Sequence, residues 1–345
     1  MYVQRTFSLL NILLWSGMHV VWLALWGYLS YLAYTKFHFE WMELPWLPIS
    51  LVGIAVSFYV GFKNNSSYDR LWEARKIWGA IVNGSRSWGS MTRHFVTNEF
   101  AQNKATSEEL KAWHKKLIYQ HLAWLMVLRN QLLRPTSWEH ISGNSGLRRL
   151  TTRRMNNQGK GLFDKVEFEQ ELKGYLSEDE IQDMKSFKNG ATRLIDRQSE
   201  DLMKLREKGL IDDFRHMELQ KMLTDFYTQQ GKCERIKNYP LPRQYASMSV
   251  YLIGIFIIML PFGIMTQMQD MNPGLLWLTI PMTTVIGWVF VIMEVVGDWS
   301  ENPFEGLGND VPMKSLVRTI EIDLREMIED DDIPEKLQPI RNVLM

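Results

Sequence analysis

The chain has 345 residues, with 39 basic and 39 acidic side chains and a formal charge of zero. That balance gives no support for nucleic-acid binding, which needs a concentrated basic surface. The single cysteine, Cys233, excludes an intrachain disulfide and suits a reducing compartment for the bulk of the chain.

Apolar residues gather in long uncharged runs towards both ends, with a strongly charged middle between them. Leu9 to Thr35 carries no formal charge. About 20 apolar residues suffice to cross a bilayer, so a first membrane helix is predicted there. The run is too long for the apolar region of a typical signal peptide, and no small-x-small cleavage site follows it. His19 lies mid-span. A charge there is costly, so a neutral ring bonded to a neighbouring helix is expected. Lys36 to Trp46 is a short aromatic connection at the far membrane face.

From Trp46 to Trp78 one long helix is predicted. Pro45 and Pro48 suit its start, where the missing N–H is not needed, and no later Pro interrupts it. Leu47 to Phe62 is uncharged; Lys63, Asp69, Arg70, Glu73, Arg75 and Lys76 follow. The helix thus starts in lipid and continues into water. Ile54, Phe58 and Phe62 recur every fourth residue and share one face. Gly53, Ser57 and Gly61 recur beside them, a spacing that lets backbones approach closely inside a membrane. The positive charges after the apolar half place its end on the cytoplasmic side, and the N-terminus with it.

Ala80 to Tyr239 contains no spanning run and reads as successive helices. Phe100 to Leu133 is amphipathic and ends before Pro135. Ser137 to Gly161 is broken by glycines into a loop or short helix pair. Ser177 and Glu180 form a capping box, and Lys188-Asn189-Gly190 ends the helix that follows. Ala191 to Lys208 is another helix, with Gly209 after it; Asp212 or Asp213 caps a further one that runs to about Gly231. Lys232 and Arg235 would lower the Cys233 pKa slightly, but no His stands near enough to make a nucleophile of it. Ser247 to Met268 and Leu275 to Val296 are the third and fourth spans, joined by a tight turn, with Pro261 and Pro281 inside them. Glu294 is expected to snorkel or to pair with a basic side chain. Lys314 to Met327 is a last amphipathic helix, and Glu329 to Asp332 opens a solvated acidic tail. His114 and His121 share a helix face without a carboxylate partner at metal spacing, so no metal site is expected. No phosphate loop, nucleophile elbow, HExxH or CxxC is present, which argues against an enzyme.

Three stretches resemble the bestrophin family. Asn64 to Gly79, NNSSYDRLWEARKIWG, is close to the YDRWWEARKxWG pattern of its bacterial members, with Leu71 in place of the usual Trp. CERIKNYPLPRQY, from Cys233 to Tyr245, resembles the family's CERI and Pro-rich turn. Asp298 to Pro312 resembles the element after its fourth span, with Glu305 in place of a Gly.

The resemblance implies an all-α membrane protein: four transmembrane helices plus a large cytoplasmic helical bundle, assembled as a homopentamer around one axis. The implied organisation is residues 1–79 as a first hairpin with the pore-lining helix, 80–244 as the cytoplasmic helices, 245–297 as a second hairpin and 298–345 as a cytoplasmic C-terminal segment. Three apolar residues on the family's inner helix form a narrow neck, and they fall on Ile54, Phe58 and Phe62, the column that helical periodicity selects by itself. The family's cytoplasmic constriction falls on Phe214; from the residues alone Phe214 reads equally as a buried bundle position. Tyr68, Asp69, Arg70, Trp72, Glu73, Arg75 and Trp78 carry over as structural motif residues, as do Asn302, Pro303, Phe304, Asn309 and Asp310.

The function so implied is a monovalent-ion channel of the plasma membrane or bacterial inner membrane, gated by a hydrophobic neck, with both termini cytoplasmic. The sign of the ion stays open: chloride by analogy with animal members, sodium or potassium by analogy with some bacterial ones. Animal members hold calcium in an acidic run of which only Asp310 has a counterpart here, so no calcium clasp and no cofactor are expected. The rival reading is a non-conducting, membrane-anchored helical module that binds a partner.

Overall fold

The computed structural model of the protein describes residues 1–6, 9–37, 42–140 and 168–345, the side chains of 9–11, 13 and 14 excepted. Residues 38–41 of the aromatic connection and 141–161 of the glycine-broken segment lie outside the described residues. Regular structure among the described residues is helical: α1 (Leu9–Phe37), α2 (Trp46–Phe95), α3 (Ser107–Leu133), α4 (Phe168–Leu172), α5 (Glu178–Ser186), α6 (Gly190–Glu207), α7 (Asp213–Asn238), α8 (Arg243–Met271), α9 (Thr279–Asp298) and α10 (Met313–Met327). A short 3-10 helix, Pro273–Leu278, precedes α9. The chain forms two compact units: Gln4–Arg70 with Pro240–Glu301, and Met1–Val3 with Leu71–Tyr239 and Asn302–Met345. The 50-residue α2 belongs to both. Its length is about 75 Å at 1.5 Å per residue.

The first unit holds the apolar helices. Among the described residues three helical stretches are long and apolar enough to cross a membrane: Trp46–Phe95, Asp213–Met271 and Pro273–Asp298. Helices α1 and α9 pack closely, with Gly287 leaving room for buried Leu23. Trp288 donates its indole N–H to Ser16 Oγ at 3.1 Å. Pro261 lies inside α8 and cannot donate to the carbonyl of Ile257, four residues back. The indole N–H of Trp26 on α1 takes that carbonyl instead, at 3.1 Å. A proline in an apolar helix is tolerated on just this condition. Pro281 lies inside the stretch Pro273–Asp298 as expected, in the first turn of α9, where its N–H is not required. His19 accepts from the Trp22 indole of its own helix at 3.1 Å rather than meeting a neighbouring one in that bond.

The second unit is organised around α3, which is buried on every side from Gln120 to Arg129. Helix α3 starts at Ser107, not Phe100, with a complete capping box between Thr106 and Glu109. The residues before it close into a loop, because Asn98 exchanges two hydrogen bonds with the backbone of Ala105. The capping box of Ser177 and Glu180 forms on α5 as the sequence predicts. Asn189 caps the start of α6 instead of ending α5, which closes at Phe187. Asp212 caps α7, and Gly209 takes a left-handed φ of 70° after α6. Helix α7 does not stop at Gly231 but runs to Asn238. One glycine costs about 1 kcal/mol in a helix, and burial of Cys233 and Ile236 in the following turn outweighs it. Burial pushes the Cys233 thiol up, opposite to the small lowering expected from its basic neighbours. The acidic tail is solvated as expected except at Asp330, which accepts from Lys115 and Tyr119 at 3.0 and 2.6 Å; Glu329, Asp331 and Asp332 are exposed, Glu329 beside Arg93.

An aromatic cluster joins α2, α3 and α7. The His121 ring lies 4.6 Å from Phe226, 5.2 Å from Trp124 and 6.2 Å from Trp88. Ser85 spends its hydroxyl proton on the Ile81 carbonyl, so His121 Nε2 is the donor to Ser85 Oγ at 2.9 Å. Burial, with no partner for Nδ1, holds its pKa at about 3 instead of 6.5, so the ring is neutral at pH 7. The unfolded chain takes up a proton below about 6.5 that the folded chain refuses until about 3. Stability therefore falls as pH drops through that window, by about 1.4 kcal/mol per pH unit. Denaturant melts at pH 7 and pH 5 are expected to differ by about 2 kcal/mol from this group alone. In His121→Phe that part of the difference disappears; an unchanged difference contradicts the assignment.

Candidate functional site

Helix α2 sorts its apolar half into two faces. Ile49, Gly53, Val56, Val60, Lys63 and Ser67 are buried, recurring every three or four residues. That is the period of a helix face packed on neighbours. Ile54, Phe58 and Phe62 stand on the opposite side, 55%, 67% and 66% exposed. Three large apolar side chains are thus aligned and uncovered by their own chain. The small-residue stripe is only partly used within the protomer. A side chain at Gly53 would meet the Phe256 ring at 2.8 Å, so α8 does approach there. Ser57 donates back to the Gly53 carbonyl at 2.9 Å, and Gly61 has no atom near its missing Cβ.

Phe214, in the first turn of α7, is 80% exposed, so it is not a buried bundle residue within its own chain. Below the apolar half, the motif residues divide. Arg70 donates through Nε to the Glu301 carbonyl at 3.0 Å, just before Asn302. Arg243 holds the Glu301 carboxylate at 2.8 Å, and burial pushes that carboxyl up. Glu73 pairs with Arg235 of the CERI stretch. Trp78, Pro303 and Phe304 are buried, whereas Tyr68, Asp69, Trp72, Arg75 and Asn309 are exposed.

The turn after α9 shows what Glu305 does in place of glycine. Its buried carboxylate takes His140 Nδ1 at 3.0 Å and Asn302 Nδ2 at 2.8 Å. Asp310 accepts the Leu307 N–H at 2.9 Å, and burial pushes its carboxyl up to about 7. Calcium takes about six to eight oxygens from ionised or carbonyl donors. One carboxylate already engaged by two side chains and one that resists ionisation do not fit that requirement. Among the described residues no His, Cys, Asp and Glu group is placed to hold a metal ion.

Sequence reasoning left one element of this region unresolved. Glu294 is paired, and its partner is Lys63, the residue that follows Phe62. Ser249 donates to the same carboxylate at 2.9 Å. The signal was available in part, since Lys63 falls in the buried repeat of α2.

The family model of the bacterial and fungal bestrophin protein matches residues 9–326. The chain is a bestrophin of that family. It is similar to the voltage-dependent anion channel-forming protein YneE of Escherichia coli, at 25% identity over 295 residues, 86% of this chain and 81% of the relative. A voltage-dependent anion channel-forming protein of Ralstonia nicotianae is 27% identical over 304 residues, 87% of this chain and 84% of its own length. In fold, this bestrophin resembles the crystal structure of a bacterial bestrophin homologue from Klebsiella pneumoniae, with a TM-score of 0.73 at 21% identity, over 91% of this chain and 99% of that one.

Proposed function

We propose that this bestrophin is a homopentameric channel for monovalent ions, with α2 of each subunit at the central axis. The observation that carries the reading is the exposed column Ile54, Phe58 and Phe62. In a single chain it faces nothing; in a ring of five it makes three stacked apolar collars. Water leaves such a constriction readily, and flow stops until the collars widen. Tyr68 and Trp72, exposed just below the column, supply aromatic surface for the subunit contact. Phe214 forms a second, cytoplasmic constriction. Four spans, α1, α2, α8 and α9, place both termini on the cytoplasmic side, and the protein needs neither a cofactor nor calcium. The names of the relatives favour an anion, and the positive end of α2 near Pro48 acts in the same direction. An apolar neck has no charge preference of its own.

Purified protein in liposomes with asymmetric potassium chloride tests this directly. A reversal potential displaced towards that of chloride assigns an anion channel, and one displaced towards potassium a cation channel. Membranes that stay silent, from protein that runs as a monomer, leave the anchored, non-conducting module as the reading. Under the same conditions Phe214→Ala is expected to change conductance by about twofold, less than Phe58→Ala, and to shift the permeability ratio, since one collar limits flow less than three stacked ones. A mutant indistinguishable in both conductance and selectivity removes Phe214 from the ion path.

A further inference from the structure

Five of the six residues on the buried face of α2 are small or uncharged, as close helix packing in a membrane requires. Lys63 is the exception, and it is 1% exposed. Its Nζ donates to Glu294 Oε1 on α9, and Ser249 Oγ on α8 donates to the same oxygen at 2.9 Å. Three helices therefore meet on one carboxylate inside the apolar unit. Lys63 follows Phe62, about 100° round the helix from it and about 140° from Phe58 at the centre of the exposed column.

We infer that the Lys63–Glu294 pair is a positioning element that fixes the rotation of α2 and so keeps Ile54, Phe58 and Phe62 turned to the axis. The inference rests on the channel reading. Apolar contacts alone do not define that rotation well, because lipid tails are as apolar as the side chains they would replace. The ion pair does define it. Turning α2 by one residue takes Lys63 off Glu294, which leaves the lysine without its carboxylate and the carboxylate with only the Ser249 hydroxyl in apolar surroundings. Neither group lies on the exposed column, so the pair acts through α2 and not on the ion.

The test uses the full-length protein in liposomes, carrying one reporter cysteine at a time, Phe58→Cys or Ala55→Cys. Copper phenanthroline and oxygen drive disulfide formation between copies, read as covalent dimers on non-reducing gels beside ion flux. With the native pair, position 58 cross-links in strong preference to position 55. Lys63→Met combined with Glu294→Met removes both charges and keeps the volume; the 58-to-55 ratio is expected to fall about tenfold, with an altered flux. Reversing the pair, Lys63→Glu with Glu294→Lys, restores the ratio. An unchanged ratio in the double-Met protein overturns the inference, as does a reversed pair that fails to restore a lost ratio. If the double-Met protein is not recovered from membranes, Ser249→Ala decides: a lowered ratio supports the pair, and an unchanged one overturns it. Native protein that carries no current overturns the channel reading and this inference together. A conducting native protein with indifferent variants overturns the inference alone.

Discussion

Phe58→Ala is expected to raise ion flux through reconstituted protein by on the order of tenfold, the effect of removing about 1.4 kcal/mol from the barrier. Phe58 is the middle member of the exposed column and one of its two largest side chains. In the proposed pentamer the change would remove five rings from one level at once. The level becomes wide enough to hold a continuous file of water, and an ion no longer has to shed its hydration shell against an apolar wall. Because Phe58 makes little contact within its own chain, the substitution leaves the fold stable, so a flux change reports the path and not damage. Stopped-flow flux measurements at equal protein-to-lipid ratio check this. Unchanged flux sinks the assignment of the column to the neck.

Phe226→Ala is expected to lower stability by about 3–5 kcal/mol, the usual cost of emptying a large aromatic site. Phe226 is 1% exposed and packs at 4.6 Å from His121, 5.1 Å from Trp124 and 6.3 Å from Trp88. Gly84 on α2 comes so near that a side chain there would meet the ring at 3.0 Å. Three of its neighbours are themselves packed rings, so the space is filled only as far as the Met222 side chain beside Gly84 can shift. The melting temperature should fall by about 10 °C in differential scanning fluorimetry of detergent-purified protein. A loss below about 1 kcal/mol would show that the cluster relaxes, against the rigidity assigned to it.

Much of α2 was legible in the sequence. The uncharged run, the abrupt onset of charge at Lys63 and the four-residue repeat all act through local geometry, and local geometry is what one sequence contains. The repeat also located the exposed column of Ile54, Phe58 and Phe62. Limits of elements were less legible where a side chain far along the chain, or a whole turn of burial, decided them. Asn98 shortens α3 through bonds to Ala105, and the buried turn at Cys233 carries α7 past a glycine that composition alone reads as a stop. The partner of Glu294 was out of reach for a plainer reason: 231 residues separate it from Lys63, and only the packed helices bring them together. Glu305 read as a departure from a pattern, when it is a buried carboxylate with two donors of its own.

Cys233, the sole cysteine, is packed into the interior of α7 with its thiol suppressed by burial. Any thiol introduced at the surface is therefore the reactive one, without first deleting a residue that fills space. Spin labels or fluorophores can be attached at a chosen position on the native background. Distance distributions among identical labels would then count the copies that associate, test the proposed fivefold symmetry, and follow motion as salt or voltage is changed.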